Sequence, residues 1–154
     1  QPEGALADPR HPDLGWRFYG PQIATQNVDW TKLRVKLGIP EAASEILTDS
    51  YILEMGFERL NGVDFRKGCY IGQEITARMK HKTRLRKGLA LVKLSNPVPL
   101  HTLIMSNGKN IGFICSQSEN NAIAYLKYDR ISDKMSAGKA EITGVNTEFI
   151  TVNG

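Results

Sequence analysis

The apolar positions have two textures that change near residue 85. Beyond that point they fall in short runs at 89–94, 102–105, 111–115, 122–127 and 148–152, which predict five strands. Turn-forming residues separate the runs: Ser95-Asn96-Pro97, Asn107-Gly108, Glu119-Asn120-Asn121 and Gly144-Val145-Asn146. Asn107-Gly108 between two apolar runs predicts a tight hairpin, because both residues tolerate the positive φ such a turn needs. Several short strands at this spacing predict a small antiparallel barrel or sandwich.

The first part of the chain reads differently. Pro2, Pro9, Pro12 and Pro21 punctuate the opening, and the alternation in Gly15-Trp16-Arg17-Phe18-Tyr19 predicts a short strand. Asn27 or Asp29 can cap a helix running to Leu37, with Trp30, Leu33 and Leu37 on one face. Gly38-Ile39-Pro40 stops it. Residues 40–49 predict a loop with at most a helical turn, 51–60 fit strand and helix equally, and Asn61-Gly62 marks a turn. A helix is expected over 73–80. The predicted fold is α+β, with α/β material over 1–84 and a β module over 85–154.

Composition narrows the classes without choosing among them. Of the 154 residues 41% are hydrophobic and 23% charged, ordinary values for a folded chain. No apolar run approaches the ~20 residues that cross a bilayer, so no membrane association is expected. Gln1-Pro2-Glu3-Gly4 shows neither the basic nor the apolar region of a signal peptide. The net charge of +4 is uneven: Arg78, Lys80, Lys82, Arg84, Arg86 and Lys87 form a band over 78–87 without an acid. This suits an anionic ligand or partner. Cys69 and Cys115 are the only cysteines, too few and too far apart for a zinc site, a complete cluster-ligand set or a disulfide scaffold. Two reduced thiols are expected.

Chemistry concentrates in residues 62–78. Gly68 and Gly72 permit close backbone approach or positive φ just before the 73–80 helix. Cys69 stands there with Lys67 two residues away, and a cation and a helix start are the surroundings reactive cysteines use. Glu74 and Arg78, four apart on the helix, can hold each other. Each feature also has an ordinary reading: glycine turns often begin helices, and free cysteines are often buried and inert. Neither dinucleotide nor phosphate-loop glycine spacing is present.

The run Lys67-Gly68-Cys69-Tyr70-Ile71-Gly72-Gln73-Glu74, followed by Ala77-Arg78, resembles the signature of the YgfZ-type folate-binding proteins, relatives of the glycine-cleavage aminomethyltransferase (T-protein). Gly38-Ile39-Pro40-Glu41, Glu54, Leu60-Asn61-Gly62-Val63-Asp64-Phe65, Asp8-Pro9-Arg10 and Leu14-Gly15-Trp16-Arg17 extend the likeness. The resemblance implies the C-terminal part of an aminomethyltransferase-like folate-binding domain followed by a small β-barrel. It implies tetrahydrofolate (or a derivative) as cofactor, with Lys67, Gly68, Tyr70, Gly72, Gln73, Glu74 and Arg78 as the candidate binding set. Cys69 separates this group from the aminomethyltransferases and becomes the candidate working thiol, in assembly or repair of [4Fe–4S] clusters. Expected partners are iron–sulfur assembly proteins or client apo-enzymes, and no tightly bound metal is expected. The expected place is the bacterial cytoplasm, or the mitochondrial matrix in a eukaryote. The catalytic acid of the T-proteins lies in a region not represented here, so no residue inherits it.

Two other functions fit parts of the chain: a T-protein-like aminomethyltransferase, and an RNA- or tRNA-associated protein using the band 78–87. The band also fits a solvated linker or a seat for the polyglutamate tail of folate. Trp16 and Trp30 are read as core before pterin stacking, Cys115 as packing, and His11, His81 and His101 as too dispersed for a metal site.

Overall fold

The apolar runs of the second part close on themselves. The computed structural model describes residues 3–21, 27–82 and 85–147. Its elements are β1 (Ala5–Ala7), β2 (Trp16–Phe18), α1 (Trp30–Leu37), α2 (Gln73–Lys82), β3 (Lys87–Leu94), β4 (Leu103–Ser106), β5 (Lys109–Ser118), β6 (Asn121–Lys127), β7 (Met135–Ala137) and β8 (Ala140–Asn146). Strands β3-β6-β5-β4-β7-β8 form a closed antiparallel barrel, β8 returning to pair with β3. Alternation sets its two faces. Ala90, Val92 and Leu94 of β3 join Ile104, Ile114 and Leu126 in the interior, while Leu89 of β3 and Ile123 of β6 face outwards. At Gly112 an added Cβ would collide with the Tyr125 carbonyl oxygen, so only glycine lets β5 and β6 approach this closely.

The Asn107-Gly108 hairpin forms as expected, pairing Ser106 with Lys109. Gly144-Val145-Asn146, read as a turn, is instead the end of β8: Gly144 pairs with Lys93 where a bulge shifts the β3–β8 register. Glycine and asparagine signal turns, yet at a bulge the ladder tolerates them. The three-residue strands β1 and β7 are too short to leave an alternation signal. The run predicted at 148–152 lies outside the described residues.

Before the barrel, α1 begins at Asp29, whose Oδ1 accepts from the Lys32 N–H at 2.9 Å. It ends at Gly38, in the left-handed region with φ 63°. Its inward residues are Arg34, Val35 and Leu37 rather than the expected Trp30–Leu33–Leu37 stripe. Trp30 and Trp16 are both substantially exposed, so neither is core, and the Arg10 guanidinium sits 5.6 Å over the Trp30 ring. Residues 51–60 form successive turns, neither strand nor helix.

This N-terminal body lies on the outer face of the barrel. Val35 and Met55 pack with Leu89, Cys115 and Ile123. Arg34 reaches through that contact: Nη2 donates to Ser116 Oγ of β5 at 2.6 Å, and Nη1 donates to Glu45 Oε2 at 3.0 Å. Both ionic side chains are buried. A second tie joins residue 54 to β3 and β6, the Leu89 N–H donating to the Glu54 carbonyl at 3.0 Å and the Tyr125 hydroxyl to Glu54 Oε2 at 2.5 Å. Among the described residues no helix is long and apolar enough to cross a membrane.

Asp8 organises the β1–β2 edge, accepting from Arg10 Nε at 3.0 Å, Arg10 Nη2 at 2.8 Å and Arg17 Nε at 2.8 Å. The Arg10 side-chain bond, above all, holds its carboxyl far below the ordinary 3.8, against the opposing effect of burial. A depressed folded-state value means this stabilisation is complete above the unfolded value and is lost as pH falls towards the folded one. Thermal unfolding followed from pH 7 downward should therefore show the melting temperature declining below about pH 4. Asp8→Asn should lower it at pH 7 and make that decline shallower. An unchanged acid limb in the variant would exclude Asp8 as a contributor.

Candidate functional site

Segment 51–60 carries the chain from the barrel contact to the signature loop. Asn61 turns it with φ 57°, and the Gly62 N–H closes onto the Phe57 carbonyl at 2.7 Å. Asp64 Oδ1 then accepts from the Arg66 N–H at 2.8 Å, a local turn that holds the Asp64 carboxyl below its usual range. Gly72, at φ +85°, makes the bend that starts α2. The Gln73 N–H reaches back to the Tyr70 carbonyl at 3.2 Å, and the buried Thr76 hydroxyl donates to the Gly72 carbonyl at 3.3 Å.

Helix α2 is fastened to the segment before the loop. Lys80 Nζ lies 2.9 Å from Glu58 Oε1 and 5.7 Å from the Phe65 ring, which also meets His81 edge-on at 6.0 Å. A groove of about 480 Å³ is lined by Tyr51, Ile52, Phe57 and Val63 from the segment before the loop and by Tyr70, Ile71 and Ile75 from the loop and α2. Lys67 lies at its edge, its Nζ 5.0 Å from the Tyr70 ring.

The candidate residues are only partly brought together. Lys67, Tyr70 and Gly72 line the groove. Gly68 and Cys69 are exposed and do not line it. Glu74 and Arg78 form their expected pair on an exposed face of α2, worth at most a few tenths of a kcal/mol. Gln73 is half-buried at the helix start. The thiols differ sharply: Cys69 is exposed, whereas Cys115 is buried against the body. Burial, then the Glu45 charge, pushes the Cys115 thiol up to about 12.

Three cations of the band 78–87 sit beside carboxylates: Arg78 with Glu74, Lys80 with Glu58, and Lys87 3.8 Å from Glu54. The side chain of Lys82 and residues 83–84 lie outside the described part of the band. Sequence patterns missed the groove lining from the segment before the loop, because residues 51–60 have no single period. They also missed the Arg34–Glu45 pair, for which the helical spacing left no signal beyond a cation on an inward position. Among the described residues no group of three or more His, Cys, Asp or Glu gathers at metal-binding distance.

Residues 86–148 match the family described as "CAF17, C-terminal beta-barrel domain". The chain is 30% identical over 152 residues to the human protein "Iron-sulfur cluster assembly factor IBA57, mitochondrial", covering 88% of this chain and 43% of that protein. It is 39% identical over 104 residues to the mouse protein of the same name, covering 61% of this chain and 29% of the other. With the Neurospora crassa IBA57 homolog it shares 40% identity over 94 residues, covering 54% and 21%. The chain thus spans less than half the length of the curated relatives it matches.

Exposure predicts the reactivity of the thiols. With a thiol reagent such as DTNB the native protein should release one equivalent quickly, from Cys69, and a second only in denaturant. Rapid native labelling that survives Cys69→Ser would contradict the placement of Cys115. Over residues 86–148, which hold nearly all of the barrel, the chain is similar to the CAF17 C-terminal barrel domain, and over most of its length it is similar to the human IBA57 protein.

Proposed function

We propose that this protein serves the assembly or repair of iron–sulfur clusters, with Cys69 as its working thiol. The supporting observation is the placement of Cys69: an exposed thiol on a loop braced by Gly72, the Asp64–Arg66 turn and the Lys80–Glu58 pair. The names of the similar proteins, iron-sulfur cluster assembly factors, point the same way. The cluster is cargo in this reading. A single cysteine offers one ligand where a cluster needs several, so the other ligands come from a partner, an assembly protein or a client apo-enzyme. A bridging thiol must be reachable by a second protein, and an exposed loop crest meets that need. By the same likeness the working place in a eukaryote is the mitochondrial matrix.

Tetrahydrofolate is the cofactor that the resemblance implies, and the groove beside Tyr70 is the place to look for it. A pterin needs several polar groups converging on its edge. Of the lining side chains, the Thr76 hydroxyl donates to the Gly72 carbonyl and Ser50 Oγ accepts from the Leu47 N–H at 2.8 Å, while the Lys67 ammonium and the Tyr70 hydroxyl stay open to a ligand. Glu74 and Arg78 bond each other away from the groove. The described residues therefore offer part of what a pterin needs, and the proposed thiol chemistry does not depend on a complete site. RNA binding loses support because three cations of the band sit beside acids.

The test is complementation. In cells lacking the corresponding assembly factor, the full-length protein with Cys69→Ser should fail to restore the activity of [4Fe–4S] enzymes although it accumulates normally. The Cys115→Ala variant should restore most of it. Full restoration by Cys69→Ser would remove the proposed role of the thiol.

A further inference from the structure

Beside Cys69 the chain presents apolar surface that its own fold does not cover. Ile71 is fully exposed, and Ile75, one turn along α2, is more than half exposed. Tyr51, which also lines the groove, is 47% exposed. Single exposed apolar residues are common, but contiguous ones around a cleft mark an interaction surface. The groove between them is apolar at Ile52, Phe57 and Val63, and about 480 Å³ leaves room for several aliphatic side chains.

Charge narrows what can lie there. Asp64 partly offsets Arg66 at 3.4 Å, and Glu74 offsets Arg78. Lys67 has no carboxylate within ion-pair distance among the described residues; its charge helps lower the Asp64 carboxyl from further off, and its Nζ lies 5.0 Å from the Tyr70 ring. The edge of the groove nearest Cys69 is therefore cationic. The Tyr70 hydroxyl adds a polar vacancy, being buried with no hydrogen-bond partner among the described residues. A docked backbone that displaces the Lys67–Tyr70 stack can give that hydroxyl an acceptor.

We infer that this groove receives an acidic amphipathic segment of a partner protein. One aliphatic side chain enters between Phe57 and Tyr70, Ile71 and Ile75 cover its flank, and a carboxylate of the segment pairs with Lys67. The inference deepens the reading of Cys69 as a working thiol, which stands two residues from both Lys67 and Ile71. A segment held here brings its own protein's ligands towards the loop crest. Apolar anchors supply most of the affinity, and the Lys67 pair supplies selection by charge.

The test is an amide-shift titration of the whole ¹⁵N-labelled chain with short designed peptides. The probes are a leucine–glutamate amphipathic peptide, its leucine–lysine counterpart and a glutamate peptide without leucine; a separate arm uses tetrahydrofolate. The leucine–glutamate peptide should give saturable shifts across residues 67–76, and the other two peptides should not. Ile71→Ser with Ile75→Ser, both at exposed positions, should weaken binding at least about tenfold. Lys67→Glu should reverse the preference towards the leucine–lysine peptide. The inference is overturned if no peptide moves these amides, if the leucine-free peptide works as well, or if tetrahydrofolate alone moves them. Cys69→Ser should bind the peptide as the parent chain does, so failure of docking and failure of the thiol's role give separate signatures.

Discussion

The buried contact between Arg34 and Glu45 is the constraint on which the rest of the molecule depends. Arg34 sits in α1, Glu45 in the loop after it, and Ser116 in barrel strand β5; one guanidinium bonds both partners. Burying a charge is costly, and removing one partner of such a pair costs roughly 3–5 kcal/mol because the other is left stranded. The pair also specifies geometry. Arg34 Nη1 meets the Ile39 carbonyl at 3.3 Å, and Glu45 Oε2 also accepts from the Glu41 N–H at 3.0 Å. The loop 39–45 is thereby wound around the guanidinium, and the apolar contact of Val35 and Met55 with Leu89, Cys115 and Ile123 has one register.

From that seat the chain passes to the signature loop through a second fixed point, the Glu54 tie to Tyr125 and Leu89. At Gly88 an added Cβ would lie 2.7 Å from the Glu54 carbonyl oxygen, so a residue without a Cβ lets β3 pass close against this turn. Residues 57–62 then turn outward, and Lys80 with Glu58 draws α2 back beside them. The loop carrying Cys69 is thus held at both ends and open at its crest. The role proposed for Cys69 needs that combination of a braced base and an exposed crest.

Strand alternation and the Asn107-Gly108 turn made the barrel legible, because β3 to β6 each carry enough residues to show period two. Barrel closure was less legible, since β7 has three residues and β8 ends in the glycine and asparagine that usually signal a turn. The caps of α1 were readable from Asp29 and Gly38, but its inward face was not. Arg34 faces inward only because Glu45 and Ser116, from distant parts of the sequence, meet it there. The candidate site divides in the same way. The glycines and the thiol marked the loop, whereas the groove lining at Tyr51, Ile52 and Phe57 comes from successive turns that no periodicity announces.

If Arg34 joins body and barrel into one cooperative unit, its loss should uncouple them. Both tryptophans, Trp16 and Trp30, belong to the N-terminal body, while the barrel holds most of the strand structure. Fluorescence and far-ultraviolet circular dichroism therefore report the two parts separately during denaturant unfolding. The parent chain should give superimposed transitions. In Arg34→Ala the fluorescence transition should move to lower denaturant, ahead of a barrel transition that moves much less. Transitions that stay superimposed in Arg34→Ala would contradict the role given to this contact.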